Sequence, residues 1–414
     1  MRTKVKADFI MANTLYISYT GLMDPLGQSQ VLQYVLGLSK EHKITVISFE
    51  KADNLNDKEK IGNLKMRLKG CGIEWRALSW TNRLSLLGKM LDIAKGAFIA
   101  TKVARKSHVH IVHCRSYIAS IMGLAVKART GAAFIFDMLG FWPDERVDGG
   151  IWAKTGIAYR MFKAIEKQLF LNADHVVSLT SAGVREFSRF DYLENKVPPY
   201  TVIPTCTNLD LFSPADNSGS GFTLGYIGSV GSWYMFDQVA FAVSRLFKMR
   251  SDARFLVVNK GGHSFIRDKL ADAGVDLGSV DIVEAPFDKV GDFVSRMDAG
   301  IFFIKPAWSK RASCPTRMGE FLACGKPCLA NVGVGDVKED FEETKTGITI
   351  DFDEHNDIKT EDLDASLRSL IALASDPGVS QRCRQAAVDR FSLDNGINKY
   401  NQIYQRLSNR GAVK

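Results

Sequence analysis

The chain has 414 residues and a net charge of +8 at pH 7, and 46% of its residues are hydrophobic while 24% are charged. This length exceeds one ordinary hydrophobic core and predicts two domains of roughly 200 residues each, while every apolar run is shorter than the roughly 18–20 residues that span a bilayer. The seven cysteines are scattered without a Cys-x-x-Cys pair, which favours a reducing, cytoplasmic location.

The basic charge belongs to the first half of the chain. Residues 1–200 carry 29 basic and 18 acidic side chains, whereas residues 201–414 carry 25 and 28. Basic surfaces attract nucleic acid, anionic lipid or acidic ligands. Because no nucleic-acid-binding motif accompanies the charges, we expect no nucleic-acid partner and expect instead an anionic membrane surface or an anionic acceptor.

The first half alternates short apolar runs with segments of helical periodicity. The basic and then apolar start lacks a small-residue cleavage site, so we interpret it as leading into a strand rather than as a signal peptide. Repeated strand–helix alternation predicts a parallel sheet with ligands at the carboxyl ends of its strands. The predicted strands are residues 14–20, 43–49, 111–114, 133–139 and 175–180.

The proline-rich stretch "VPPYTVIPTCTNLDLF" (197–212) interrupts this alternation, which then restarts. The predicted strands of the second half lie within residues 222–231, 254–262, 280–287, 299–305, 327–331 and 347–352. The fold class is therefore α/β, with two Rossmann-like, doubly wound parallel-sheet domains over residues 1–204 and 205–389. The amphipathic segment 390–410 predicts a helix that is compatible with either half.

Residues 83–106 mix cations with apolar residues at helical spacing. The cations are Arg83, Lys89, Lys95, Lys102, Arg105 and Lys106. A basic amphipathic helix is typical of docking on a membrane surface. A helix that packs on a core has the same pattern, and the sequence leaves both interpretations open.

The segment "FDMLGFWPDER" (136–146) follows a predicted strand and concentrates aromatic and acidic residues. Aromatic faces stack on sugars and carboxylates accept hydrogen bonds from hydroxyls, so we expect Trp142, Asp144 and Glu145 to bind an acceptor. The alternative is a helix cap at Asp144 beside a pair of aromatic residues that anchors the loop.

Three glycines, Gly225, Gly228 and Gly231, follow the first strand of the second half. Glycine lets the backbone approach a phosphate closely, so the segment predicts one wall of a ligand pocket, with a plain tight turn as the alternative. The spacing differs from Gly-x-Gly-x-x-Gly, and the next strand ends in "NKGG" without an acid for a ribose, which argues against a dinucleotide-dependent dehydrogenase.

The segment "KRASCPTRMGEFLACGKPCLA" (310–330) predicts a nucleotide site. Pro315 stands where a helix is expected to begin, and the free N–H groups of a first helical turn attract an anion. The cations Lys305, Lys310, Arg311 and Arg317 surround this point. One turn further on, Glu320 is placed to accept hydrogen bonds from the vicinal hydroxyls of a ribose. The alternative is a solvated basic loop before a core helix.

These residues and several other segments resemble the GT-B glycosyltransferases of the family 4 type. The similar segments are "PTRMGEFLACGKPCLA", the interdomain "VIPTCTNLDLFSP", "ADHVVSLTSAGVREF" and the C-terminal "RFSLDNGINKYNQIYQRL". The segment "MDPLGQSQVLQYVLGLSKEHKITVISFEK" is similar to members that assemble bacterial surface polysaccharides. The resemblance implies that the C-terminal helix crosses back onto the first domain.

The sequence departs from the family pattern at two places. Retaining members usually carry two glutamates separated by seven residues; Glu320 fits the second, but Ala312 occupies the first position. The family also tends to place Arg and Lys after the first strand of the nucleotide-binding half, where this chain has Trp233 and Tyr234 and no cation. Either Lys260 and the cations of residues 305–311 replace the missing pair, or the donor is a CMP-linked sugar, which needs fewer cations.

The resemblance implies a glycosyltransferase that uses a nucleotide sugar and a saccharide or lipid-linked acceptor. Asp137 stands where the family often has a catalytic-site His, so we expect Asp137 and Glu320 to be catalytic. The expected donor-binding residues are Gly27, Gly228, Ser229, Lys260, Lys305, Lys310, Arg311, Ser313, Pro315, Thr316, Arg317 and Glu320. For Gly27 a simple helix cap is the alternative. We expect no cofactor and no metal. The Asp-x-Asp pattern holds a metal in another transferase fold, but here one pair follows a predicted strand in a polar loop and the other falls in a surface-like helix, and the histidines lack ligand spacing. A non-catalytic sugar-binding protein and an epimerase on the same fold are the rival interpretations.

Overall fold

The chain folds into two parallel β-sheets. The computed structural model describes residues 11–81, 86–215 and 221–412, and within these ranges one sheet has seven strands and the other six. The strands are β1 Asn13–Ser18, β2 Lys43–Glu50, β3 Glu74–Ser79, β4 Ile111–Arg115, β5 Ala133–Asp137, β6 His175–Ser178, β7 Tyr200–Val202, β8 Phe222–Ile227, β9 Ala253–Val258, β10 Val280–Val283, β11 Ala299–Phe302, β12 Cys328–Asn331 and β13 Gly347–Ile350.

Helices connect the strands of each sheet. They are α1 Pro25–Gly27, α2 Gln33–Leu38, α3 Ala52–Asn56, α4 Lys58–Gly70, α5 Leu86–Lys106, α6 Tyr117–Thr130, α7 Trp142–Asp148, α8 Ile157–Asn172, α9 Ser181–Phe187, α10 Phe236–Met249, α11 His263–Asp272, α12 Val290–Val294, α13 Thr316–Ala323, α14 Val337–Thr344, α15 Thr360–Ala374, α16 Val379–Ala386 and α17 Leu393–Ala412. Residues Gln28–Leu32 and Ala387–Phe391 are π-helical, and short 3₁₀ turns include Trp308–Ala312.

The strand order confirms the predicted fold class. The first sheet runs β3-β2-β1-β4-β5-β6-β7 and the second runs β10-β9-β8-β11-β12-β13, with neighbouring strands parallel. Both orders reverse direction beside the first strand of the half, which is the switch point where doubly wound sheets bind ligands. Each segment predicted as a strand contains one.

Two strands were missed by the sequence analysis. The edge strand β3 is half-exposed along its length, so it lacks the continuous apolar run that marks a strand buried on both faces. Strand β7 has three residues and lies inside the proline-rich stretch that we interpreted as an interruption. Its N-terminal prolines are compatible with an edge position, because an edge strand leaves one side of its backbone unpaired.

Helix α5 covers most of the basic amphipathic segment, while Arg83 of that segment lies outside the described residues. One face of α5 is buried: Ala100, Val103 and Ala104 pack into the core of the first half. Within the described part of the chain, the structure contains no helix of sufficient length and apolarity to cross a membrane.

The chain passes between the halves twice, and the two crossings are paired. The backbone N–H of Thr207 donates to the carbonyl of Phe391 at 2.7 Å, and the N–H of Leu393 donates to the carbonyl of Thr207 at 3.0 Å. After the second crossing, α17 lies on the first half, where Lys399 donates to the carbonyl of Val202 at 3.1 Å. The helix beyond residue 390 therefore packs against the first sheet.

Helix α17 closes a buried polar cluster at the ends of β4 and β5. Arg115 donates to Asp137 at 2.8 Å, and both side chains are buried. The hydroxyl of Tyr400 donates to the same carboxylate at 2.9 Å, and His113 hydrogen-bonds to Tyr404 at 2.8 Å. Burial alone would raise the pKa of Asp137, but the charge of Arg115 and the hydrogen bonds hold it below its usual value. Removing one partner of a buried ion pair leaves an uncompensated charge and is strongly destabilising.

We predict that Asp137→Asn lowers the free energy of unfolding by about 3–5 kcal/mol near pH 7, because it leaves Arg115 buried without a counter-charge. Tyr400→Phe removes one hydrogen bond to a charged acceptor and costs about 1.5–3 kcal/mol. Urea unfolding followed by tryptophan fluorescence measures both effects.

The pH dependence of this loss has a definite sign. Because the pKa of Asp137 is depressed in the folded state, its contribution is present above the unfolded pKa and is lost as pH falls through the folded value. The stabilities of the wild type and Asp137→Asn therefore converge at acid pH. Equal stabilities near pH 7 would contradict a stabilising role for the pair.

Candidate functional site

The candidate site is at the carboxyl ends of the strands of the second sheet, where the loops after β8, β9 and β11 meet. The N–H of Lys305 donates to the carbonyl of Trp233 at 2.9 Å, and Tyr234 forms an antiparallel bridge with Ile304. These contacts join the loop after β8 to the loop after β11. Ligands bind at this edge of a doubly wound sheet.

Two asparagines that the sequence analysis missed hold these loops together. The Asn259 amide donates to the carbonyl of Gly228 at 2.8 Å and accepts from the N–H of Gly262 at 2.7 Å. Asn331 accepts from the N–H of Ile304 and donates to its carbonyl, both at 2.8 Å. An amide pairs with both kinds of backbone group, and the signal in the sequence is an Asn at the end of a buried strand.

Arg317, on the first turn of α13, is a buried cation held by aromatic rings. Its side chain is 6% exposed. The guanidinium carbon lies 4.2 Å from the ring centroid of Tyr234 and 4.8 Å from that of Tyr226. Its Nη2 donates to the carbonyl of Ser229 at 3.3 Å, while Nη1 is buried without a hydrogen-bond partner among the described residues.

The glycine at position 228 is required by this cation. Gly228 has a φ of 95°, which side chains other than glycine rarely adopt. A β-carbon at this position would lie 2.9 Å from Nη2 of Arg317. The backbone of the loop thus approaches the guanidinium closely, and the role of these glycines as one wall of a ligand pocket stays a prediction.

Glu320 lies one helical turn after Arg317 and is partly buried. Its carboxylate forms no hydrogen bond or ion pair with the described residues. Burial raises its pKa from 4.5 to about 7, and the nearby charge of Arg317 opposes the shift. A carboxylate with this environment is available to accept hydrogen bonds from a ligand, and it titrates near neutral pH.

Two of the predicted phosphate-binding cations instead contact the first half. Lys310 is buried, and its Nζ lies 2.9 Å from Glu145 and 3.9 Å from the ring centroid of Trp233. Arg311 pairs with Glu186 at 2.7 Å, and Trp308 donates to the other oxygen of Glu186 at 2.9 Å. In this structure both cations join the two halves, and their role at a phosphate stays a prediction.

The remaining predicted donor residues lie on the loops after β8, β9 and β11 and at the start of α13. Lys260, Lys305 and Ser229 are exposed at the ends of their strands, and neither lysine has an ion pair with the described residues. Ser313 and Thr316 are partly buried. Pro315 is buried and precedes the helix by one residue, because its extended ψ of 116° ends the loop and α13 begins at Thr316.

Gly27 is buried beside the loop that follows β1. A β-carbon at Gly27 would lie 1.8 Å from the carbonyl oxygen of Gly21. This close approach explains the glycine by packing, in a short helix that continues into the π-helical turn Gln28–Leu32. Its predicted contact with a phosphate is not tested by these contacts.

The residues predicted to bind an acceptor have partners within the protein. Asp144 accepts from Tyr159 at 2.7 Å and from Lys163 at 3.0 Å. Trp142 packs edge-on against Trp152 with centroids 5.2 Å apart, and Glu145 binds Lys310. Asp137 is in the buried cluster described above.

Asp144 is not a helix cap, because α7 begins at Trp142 with Phe141 before it. Phe141 stacks on Trp308 of the second half, with centroids 4.5 Å apart. An aromatic anchor of the loop, part of our alternative interpretation, is therefore present.

The alanine at position 312 has a packing reason. Ala312 is fully buried with the core residues of the first half. A β-carbon added to Gly183 of α9 would lie 2.9 Å from the methyl group of Ala312. Because Ala312 is buried close to Gly183, a glutamate side chain at position 312 would require the neighbouring core residues to move.

Comparisons with known proteins concern the domain and the fold. Residues 28–205 match the family described as a glycosyl transferase 4-like domain, and a comparison with curated protein sequences gave no match. A glycosyltransferase from Rickettsia africae is similar in structure, with a TM-score of 0.69, 18% identity and coverage of 96% of this chain and 98% of the other.

Two further structures are similar over nearly their full lengths. Sucrose-phosphate synthase from Thermosynechococcus elongatus has a TM-score of 0.70, 14% identity and coverage of 96% of this chain and 99% of the other. HepE of Anabaena, solved with UDP and glucose, has a TM-score of 0.66, 13% identity and coverage of 95% and 99%. At these identities the similarity concerns the fold. The match to the glycosyl transferase 4-like domain thus covers residues 28–205, and the two-sheet fold as a whole is similar to that of solved glycosyltransferase structures.

Proposed function

We propose that the protein transfers a sugar from a nucleotide sugar to a saccharide or lipid-linked saccharide in the assembly of a bacterial surface glycan. The observation that carries the proposal is the pair formed by Glu320 and Arg317 on α13. Among the described residues, Glu320 is a carboxylate without a hydrogen-bond or ion-pair partner, and Arg317 is a buried cation with one unpaired nitrogen. A nucleotide has the complementary groups, a ribose with vicinal hydroxyls and an anionic phosphate.

In the proposed complex, Glu320 accepts hydrogen bonds from the ribose, and Arg317, Lys305 and Lys260 face the phosphates. HepE, which has the same fold, was solved with UDP and glucose, and this supports a nucleotide sugar as the donor. Catalysis then consists mainly of positioning the reactants and of stabilising the charge on the departing phosphate. Side-chain cations supply this positive charge, so the proposal needs no metal ion.

From the family resemblance we expect retention of the anomeric configuration. The buried methyl group of Ala312 in place of a glutamate means that the retaining pathway, if used, depends on Glu320 and on the phosphates of the donor. Asp137 remains our prediction for a second catalytic residue on the first half. Trp142, Asp144 and Glu145 remain predicted acceptor contacts.

One observation favours a CMP-linked sugar as an alternative donor. Lys310 and Arg311 bind Glu145 and Glu186, which leaves fewer cations for a phosphate group. A nucleoside monophosphate carries less negative charge than a diphosphate and requires fewer cations for neutralisation.

We predict that calorimetric titration with UDP, GDP, ADP, TDP and CMP detects selective binding of one nucleoside diphosphate. This result would mean that the cations around α13 replace the Arg and Lys that the resembled family tends to place after β8. Selective binding of CMP would support the alternative donor, and binding of none would contradict a nucleotide-sugar site. Glu320→Ala is expected to abolish binding if the ribose is held as proposed.

We further predict that nucleotide affinity rises about tenfold between pH 6 and pH 8, because the pKa of Glu320 is about 7 and only the ionised carboxylate accepts two hydrogen bonds. We expect Glu320→Gln to bind the nucleotide weakly, and we expect its affinity to lack the rise that comes from ionisation of Glu320. The phosphate of the nucleotide also titrates in this pH range. Because this changes the affinities of the wild type and of Glu320→Gln equally, the ratio of the two affinities isolates the contribution of Glu320.

Protein stability changes in the opposite direction, which separates binding from folding. The folded pKa of Glu320 lies above its ordinary value of 4.5, so stability falls as pH rises from about 4.5 through 7. Glu320→Gln is therefore expected to be at least as stable as the wild type at pH 8. An affinity that is independent of pH in the wild type would exclude Glu320 from the ribose site.

We also propose that the first half docks on an anionic membrane surface through the outward face of α5. Exposed apolar side chains on this face include Leu87, Leu91 and Phe98, of which Phe98 is 71% exposed. The exposed cations Lys95, Lys102, Arg105 and Lys106 lie on the same helix. Apolar residues beside basic ones are typical of helices that lie in the membrane interface.

We predict that the wild-type protein floats with vesicles that contain phosphatidylglycerol and that binding decreases with added salt. Phe98→Ser weakens flotation, whereas Phe265→Ser on α11 of the second half is the matched control and leaves it unchanged. Equal flotation with neutral and anionic vesicles would exclude the electrostatic part of the proposal.

A further inference from the structure

The two aromatic residues that follow β8 hold cations from another segment of the chain. Trp233 and Tyr234 stand where the resembled family tends to place Arg and Lys. Lys310 lies 3.9 Å from the ring centroid of Trp233, and Arg317 lies 4.2 Å from that of Tyr234. Both distances are within the range of a cation–π contact. The loop thus lacks its own cations but contacts two that come from the segment 310–317.

The two cations differ in their other partners. Lys310 also binds Glu145, and a β-carbon added to Gly149 of the first half would lie 3.1 Å from the ring of Trp233. Lys310 is therefore neutralised at the contact between the halves. Arg317 lies instead between Tyr234 and Tyr226, and it has no carboxylate within ion-pair distance among the described residues. Aromatic rings hold a cation without cancelling its charge.

The guanidinium of Arg317 also has an unused donor. Nη2 and the hydroxyl of Tyr226 both donate to the carbonyl of Ser229, at 3.3 and 2.6 Å. Nη1 is buried without a partner in the part of the chain that the structure describes. A buried polar group without a partner is uncommon in folded proteins, and it is expected where a ligand completes the hydrogen bond. An arginine remains charged under these conditions.

From this arrangement we infer that Arg317 is the principal phosphate-binding cation and that Tyr226 and Tyr234 are its positioning residues. The tyrosines orient the planar guanidinium beside Gly228 and keep its charge available for an anion. Trp233 has a different task, since it places Lys310 at the contact with Glu145. This inference rests on the proposed function for the nature of the ligand, which is the diphosphate of the donor.

The test uses calorimetry to compare the affinities of the wild type and of variants for UDP, uridine and inorganic pyrophosphate. If the wild type binds another nucleotide best, the diphosphate and the nucleoside of that base replace UDP and uridine. Tyr234→Leu removes the ring, and we expect it to weaken the diphosphate and pyrophosphate by about tenfold or more while the nucleoside is unaffected. Tyr234→Phe retains the ring and is the matched control, with affinities near those of the wild type. Arg317→Gln is expected to lose pyrophosphate binding.

A purely structural role for Tyr234 has a different signature. It predicts that Tyr234→Leu weakens the nucleoside and the diphosphate by the same factor, and this result would overturn the inference. An unchanged affinity for the diphosphate and pyrophosphate in Arg317→Gln would also overturn it, while leaving the proposed function intact. Thermal unfolding of each variant identifies any that fail to fold, and Arg317→Lys then replaces Arg317→Gln with a smaller expected loss.

Pyrophosphate separates this inference from the proposed function. If the wild type binds pyrophosphate through Arg317 but binds no nucleotide, the phosphate-binding cation is supported and the nucleotide-sugar proposal fails. If the wild type binds neither pyrophosphate nor any nucleotide, both are overturned.

Discussion

Two ion pairs from the segment 305–317, Lys310–Glu145 and Arg311–Glu186, join the two halves of this protein. Removing a charged side chain from water costs several kcal/mol unless a partner is supplied. Buried Lys310 obtains its partner, Glu145, from the first half, whereas Arg311 pairs with Glu186 while its side chain stays about half exposed to water. Because these contacts fix the loop after β11, they also fix the start of α13. The positions of Arg317 and Glu320 at the edge of the second sheet follow from this anchoring.

The choice of partner divides the cations by task. Lys310 and Arg311 are paired with carboxylates of the first half, and these ion pairs contribute to the contact between the halves. The rings of Tyr226 and Tyr234 hold Arg317 without cancelling its charge, so its charge is retained at the edge of the sheet where we propose that the ligand binds. Glu320 lies one turn away and has no hydrogen-bond or ion-pair partner within residues 11–81, 86–215 and 221–412, and burial raises its pKa to about 7 because it disfavours the charged form. A ligand that is anionic at one end and has hydroxyl donors at the other satisfies both groups.

The first half contributes mainly through packing in this structure. Helix α17 returns to it and covers Asp137, which binds Arg115 and Tyr400. These contacts give Asp137 a structural role, and its catalytic role stays a prediction. Ala312 is buried against α9, which gives the alanine a role in packing. The two departures from the family pattern thus coincide with local packing. Ala312 is buried in the core, and the aromatic residues after β8 contact cations from the segment 310–317.

The sequence by itself determined eleven of the thirteen strands and the doubly wound fold of each half, and it supplied the predicted residues of the ligand site. These features depend on apolar periodicity and on local helix and loop signals, which nearby residues report. It did not determine β3, which is half-exposed, or the partners of the charged side chains. Lys310 and Glu145 are separated by 165 positions, and Arg317 meets Tyr226 and Tyr234 only because the loops after β8 and β11 pair. Which cation is neutralised and which remains available is therefore decided by the tertiary structure, since it depends on distances that no local pattern encodes.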